Sequence, residues 1–146
     1  MSQIRVDFAF GAPDRLRTAC EVVRKHYLRQ RRVIIYIADS RQRTRFSHML
    51  WGFEPTAFVP HVNADDPLVD QTPIVLCDQM PRPDLTRAGT EPAWLLNLST
   101  QCPPNTETFL RILEIVSNDE ADKQAARTRW RHYQQQGYQV HAHQIG

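Results

Sequence analysis

The segment Val33-Ile34-Ile35-Tyr36-Ile37-Ala38 is apolar and β-branched, with no alternation of polar and apolar residues. A strand covered on one face alternates, whereas a strand covered on both faces reads as a continuous run, as in a parallel sheet. Pro73-Ile74-Val75-Leu76-Cys77 reads as another buried strand and Ala93-Trp94-Leu95-Leu96-Asn97-Leu98 as a further one. A parallel sheet needs crossover connections, usually helices, so these runs confine the chain to a layered α/β arrangement.

The segments between them agree. Ile4 to Phe10 reads as a first strand, ended by Gly11-Ala12-Pro13. Pro13 suits a first helical position, and Leu16, Ala19, Cys20, Val23 and Tyr27 recur at helical spacing up to about Gln30. Asp39-Ser40 can cap a second helix that carries Phe46, Met49 and Leu50 and stops at Gly52. A short strand is expected at Ala57 to Val59, and Asn63 to Asp70 and Gln79 to Glu91 read as loops. Phe109, Ile112, Leu113 and Val116 share one face at helical spacing, which predicts a third helix capped by Asn105 or Thr106. Ser117-Asn118-Asp119-Glu120 predicts a capping box opening a fourth helix that stops at Gly137. Tyr138 to Ala142 predicts a final short strand. No linker, repeat or low-complexity tract interrupts the pattern, so residues 1–146 are expected to form one domain.

An α/β sheet invites a nucleotide-binding reading, and the motifs for it are missing. The turn after the first strand, Phe10-Gly11-Ala12-Pro13-Asp14, has one glycine and a proline instead of G-x-G-x-x-G, and there is no Walker A sequence. No serine stands in G-x-S-x-G. Cys20, Cys77 and Cys102 are odd in number with no C-x-x-C pair, so buried free thiols are expected, with neither zinc nor disulfides. His141 and His143 could face one way on a strand, but spacing suggests no third ligand; His61 after Pro60 reads as a structural histidine; Asp65 and Asp66 read as an exposed acidic loop. No catalytic constellation and no cofactor is expected. The longest apolar run is about six residues, against the ~20 that a spanning helix needs, so no membrane association is expected. The first residues, Met1 to Asp7, do not combine a basic stretch with an apolar one, so a cytoplasmic protein is expected.

Net charge is only +2, although 16 of the 18 basic residues are arginine. That balance argues for little or no direct DNA binding, although arginines such as Arg29, Arg31, Arg32 and Arg45 keep it open as an alternative. Two other constellations fit a protein partner. At about 100° per residue, Lys123, Ala126, Arg127 and Trp130 fall within roughly one quadrant of the fourth helix, with Arg129 and Arg131 flanking and Ala125, Ala126 and Tyr133 toward the core. An aromatic wall beside two cations suits an acidic peptide with an apolar end; a half-buried indole among solvated neighbours is the other reading. In the second, Trp51 and Phe58 flank a proline-restricted segment at the sheet edge and form either an exposed interface or part of the core.

These same segments carry a family likeness. The strand-then-helix start with Cys20, the strand at Arg32 to Ala38 and Leu50-Trp51 followed by Phe58-Val59-Pro60-His61 all contribute. So do Pro73-Ile74-Val75, Leu96-Asn97-Leu98, Arg111 to Val116 and Arg127-x-Arg129-Trp130-x-x-Tyr133-x-x-x-Gly137. Together, in order and over nearly the full length, they resemble the chi subunit family of bacterial DNA polymerase III. The resemblance implies a three-layer α/β fold, with a mostly parallel central sheet, helices on both faces and a Rossmann-like arrangement without the glycine-rich loop. It implies a replication subunit with no catalysis of its own. Such a subunit pairs with a small subunit, psi, within the clamp-loader complex. It also holds the acidic C-terminal tail of single-stranded DNA-binding protein, which ends in Pro-Phe. Some members bind a helicase-like partner instead of psi. By position the tail would meet Val116, Lys123, Arg127 and Trp130, and psi would meet Trp51 and Phe58. Trp130 stands where another branch of the family has tyrosine, which keeps the aromatic wall without the hydroxyl. A small α/β nucleotide-binding protein or enzyme is the alternative.

Overall fold

The structure, a computed structural model, describes residues 3–52, 59–88 and 91–145. Its elements are β1 (Arg5–Ala12), α1 (Arg15–Leu28), β2 (Val33–Tyr36), α2 (Ser40–Gly52), β3 (His61–Asn63), β4 (Ile74–Cys77), β5 (Trp94–Asn97), β6 (Arg111–Ser117), α3 (Glu120–Gln135) and β7 (Gln139–Gln144). The strands form one sheet in the order β3-β4-β2-β5-β6-β1-β7, and every pairing is parallel. Among the described residues no helix is long and apolar enough to cross a membrane.

The unalternated runs are explained by cover on both faces. Val33 and Ile35 of β2, Ile74 and Leu76 of β4, and Leu96 of β5 pack with Ala19, Cys20 and Val23 of α1 and Phe46 and Leu50 of α2. Their neighbours Ile34, Val75 and Leu95 face the other way, into a second core with Phe8, Ile112, Ala126 and Tyr133. The result is the three-layer, Rossmann-like α/β arrangement, with α1 and α2 on one face and α3 on the other. Asp14 caps α1 through its carboxylate, which accepts from the Arg17 N–H. Gly137 ends α3 at φ +82°, as a C-terminal glycine should.

The segment 109–116 departs from its sequence pattern. The helix expected there is instead strand β6, bonded to β1 on one side and β5 on the other. Its helical spacing is a coincidence of full burial. Ile112 and Val116 fill the core under α3, and Ile115 fills the one under α1. The polar residue among them, Glu114, is 1% exposed. Asn105 opens only a single 3-10 turn, Thr106–Thr108, from a left-handed φ of 62°. The capping residue of α3 is Asp119, two residues later than expected, because Ser117 still belongs to β6. At the sheet edge the strand is His61–Asn63; of the strand expected at Ala57 to Val59, residues 57 and 58 lie outside the described residues.

Candidate functional site

The start of α1 is tied to the carboxyl ends of the strands by Arg15. In α/β domains the carboxyl ends of the strands take the phosphates. Here Arg15 reaches back over them and donates to the carbonyls of Ile115 (2.8 Å), Ser99 (3.0 Å), Leu98 (3.2 Å) and Asn97 (3.3 Å). A side-chain cation thus satisfies carbonyls at the ends of β5 and β6.

A largely apolar cavity lies between α3 and the carboxyl ends of β1, β6 and β7. It measures about 460 Å³. Phe8, Val116, Ala126 and Trp130 give it an apolar interior, Lys123 and Arg127 stand along it, and Ala142 and Gln144 of β7 form the opposite rim. Val116 and Ala126 are buried, and half-buried Trp130 leans on Phe8 with ring centroids 5.0 Å apart and planes at 47°. Such a tilted pair adds to the area it covers and holds the indole as a wall. The Arg127 side chain is 60% exposed, and its ion pair with Glu120 is loose at 3.9 Å. Gly11 closes one end at a β-bulge between Phe10 and Ala12. Its φ is +89°, and a Cβ there would lie 2.6 Å from the Ile145 carbonyl oxygen, so glycine is required.

The orientation of α3 is set from its inner side. Glu114 accepts from Arg129 Nε (3.0 Å), Asn97 Nδ2 (2.9 Å) and the Tyr133 hydroxyl (2.7 Å), while Arg129 Nη1 also donates to the Thr100 carbonyl (2.9 Å). Burial, and then the carboxylate beside it, raise the Tyr133 phenol well above its ordinary range, so it stays a donor. Arg129 was expected to flank the cation–aromatic quadrant. It is 1% exposed, because two positions along a helix from Arg127 is about 200° around it. Ala126 and Tyr133 are core as expected, and Ala125 is half-buried.

All four expected tail-binding residues, Val116, Lys123, Arg127 and Trp130, thus line one cavity. Phe8 and Phe10 complete it, and the sequence offered no sign of this beyond their place at the end of the first strand. Trp51, in the last turn of α2, is 60% exposed with its ring edge-on to His61 (6.0 Å), so it does not fill the core. Phe58 lies outside the described residues. His61 is structural: its ring contacts the Ser47 hydroxyl (2.9 Å) and the Val59 carbonyl (2.8 Å), and burial lowers its pKa. His143 contacts Asp7 at 2.8 Å, and among the described residues no three His, Cys, Asp or Glu side chains gather as a metal site. Cys20 and Cys77 are buried free thiols and Cys102 is a half-buried one; burial pushes Cys20 up to about 12 and Cys102 to about 11.

Fold and site together define a Rossmann-like α/β domain with a cavity that is apolar inside and cationic along one side. The family model of the DNA polymerase III chi subunit, HolC, matches residues 1–141. Curated relatives are the DNA polymerase III chi subunits of Pseudomonas aeruginosa, Haemophilus influenzae and Escherichia coli. The first is 31% identical over 145 residues, covering 97% of this chain and 96% of that one. The second is 26% identical over 128 residues, covering 88% and 85%. The third is 25% identical over 121 residues, covering 83% and 79%. Among solved structures, the C-terminal domain of Saccharomyces cerevisiae Dbp5 superposes with a TM-score of 0.54 at 10% identity, covering 94% of this chain and 88% of that one, a likeness of fold alone. The chain belongs to the DNA polymerase III chi subunit family.

Proposed function

We propose that this chain is a non-catalytic adaptor of the replicative polymerase. Its α3 groove receives the acidic C-terminal tail of single-stranded DNA-binding protein, and its Trp51 edge receives psi, which joins it to the clamp loader in the cytoplasm. The observation that carries this reading is the groove's composition. Phe8, Val116, Ala126 and Trp130 line a recess of a size to take a terminal phenylalanine, with Lys123 and Arg127 placed for the carboxylates beside it. A short peptide burying one ring and pairing two or three charges should bind at about micromolar strength, ~8 kcal/mol. The exposed cations make that affinity salt-sensitive.

The direct test is titration with an acidic peptide ending in Pro-Phe against the same peptide without the phenylalanine. The reading expects the truncated peptide to bind at least about ten-fold more weakly; equal binding overturns it. For the second surface, Trp51→Ala should weaken psi binding and leave peptide binding unchanged. Loss of both together points to a folding defect and removes the support for a separate psi surface.

A further inference from the structure

The amino end of the sheet carries a second charged surface, on the α1 face and away from the groove. Three neighbouring strands begin there with Arg5 (β1), Arg111 (β6) and Trp94 (β5). The last turn of α1 and the residues after it bring Lys25, His26, Arg29 and Arg31 to the same place. Arg31 lies 4.6 Å and Arg111 4.4 Å from the centroid of the Trp94 ring, and the His26 ring centroid is 4.6 Å away. Arg31 Nη1 donates to His26 Nδ1 at 3.1 Å. His26 can accept that bond because it is uncharged: burial, then Arg31, Lys25, Arg29 and Arg111, lower its pKa to about 4. The central carboxylate, Asp7, is already shared by Arg5 (3.0 Å), Arg111 (2.9 Å) and His143 (2.8 Å). Glu21 stands one turn before Lys25 on α1.

We infer that this surface, built from Arg31 and Arg111 on Trp94, Lys25 and Arg29 beside His26 and Arg5 beside Asp7, binds the phosphate backbone of nucleic acid. The inference does not depend on the groove's reading. Positive charge here exceeds the carboxylates that face it, and Lys25 and Arg29 are exposed. Stacking on an indole fixes a guanidinium while leaving its in-plane N–H groups for an anion, and planar forks match phosphate oxygens. Because two guanidinium groups lie on the Trp94 ring, the ring serves the arginines rather than an apolar side chain. That separates this surface from the groove and favours phosphate over a peptide with a hydrophobic anchor. The net charge of +2 averages over the whole chain and hides this segregation.

The experiment is fluorescence anisotropy of a labelled oligothymidylate of about 30 nucleotides with the full chain, at low salt and then rising salt. Three phosphate contacts give a log–log salt slope of about −2 for a single strand. The variant Lys25→Glu/Arg29→Glu should weaken binding at least about ten-fold and flatten that slope, while Arg127→Glu leaves binding within about two-fold. Both changed residues are exposed, and a thermal melt confirms that the variant folds. A duplex of equal length tells the sources apart: tighter binding of one form identifies it as the ligand, and equal binding means the backbone alone is read. No salt-dependent binding, or binding unmoved by Lys25→Glu/Arg29→Glu, overturns the inference. So does polyglutamate competing better than the oligonucleotide itself.

Discussion

Arg127 and Arg129 stand two residues apart on α3 and carry the same charge, yet they live in opposite environments. Arg129 is 1% exposed, bonded to Glu114 and to a main-chain carbonyl, with Nη2 unpartnered among the described residues. Arg127 is mostly in solvent beside the groove, with a carboxylate 3.9 Å away. One face of the helix thus spends its charge on holding the helix, and the other keeps its charge available. The two faces are linked, because the inner network fixes α3 on β6 and so decides where Lys123, Arg127 and Trp130 stand.

Breaking the inner network should have the largest effect. Glu114→Ala leaves buried Arg129 without its carboxylate, and Arg129→Ala leaves Glu114 only the longer ion pair with Arg15 at 3.8 Å; loss of a buried partner costs ~3–5 kcal/mol. Urea unfolding should show that loss. The double replacement Glu114→Leu/Arg129→Met removes the ion pair itself and should recover only part of the loss, because Asn97, Tyr133 and Arg15 still lose the carboxylate they face. A single-variant loss below ~1 kcal/mol breaks the contrast between the faces.

The same rule extends to the inner side of α1 as a pH effect. His26 is 7% exposed with its pKa pushed down to about 4, mainly by burial. Unfolded, it titrates near 6.5. Between about 4 and 6.5 the unfolded chain binds more protons, so stability rises with pH through that window. It is fully present above about 6.5 and falls away toward pH 4, by ~2–3 kcal/mol at ~1.4 kcal/mol per unit. His26→Gln should flatten that slope in unfolding measured at several pH values; an unchanged slope assigns the effect to other groups.

Much of the architecture was legible because it is local. Val33 to Ala38 announced a strand covered twice, and the periodicities of α1 and α3 placed Cys20 and Trp130 on the correct faces. What escaped depends on contacts remote in the chain. Phe8 joins the groove only because β1 lies beside β6 and β7, a pairing across more than 100 residues. The errors at β6 and at Arg129 share one cause. Read as a helix, residues 109–116 place Glu114 on a solvated face; as a strand packed under α3 they bury it, and a buried carboxylate demands the nearest cation. Arg129 answers that demand, so its placement was hidden until the strand was recognised.

On the groove face, Trp130→Ala should cut binding of a Pro-Phe-ended acidic peptide by about ten-fold or more, ~1.4 kcal/mol or above. The indole forms a wall on Phe8, and its removal widens the recess. Calorimetric titration checks the affinity, and a melt separates it from the cost of losing a half-buried ring.

Arg127→Ala should have the smallest effect and sharpens the contrast most. With no buried partner, its loss should leave the melting temperature unchanged. Peptide affinity should fall by ~1 kcal/mol at low salt, the scale of one exposed charge-assisted contact. That difference should shrink toward zero as salt rises and the screening length drops to ~3 Å near 1 M. Lysine at this position restores the charge but not the fork, so Arg127→Lys should recover part of the affinity and all of the salt dependence. If the loss instead persists at high salt, the bound peptide seals Arg127 from water. The outer face would then obey the same burial rule as the inner one, and the two sides of α3 would differ only in whether their carboxylate comes from this chain or from its partner.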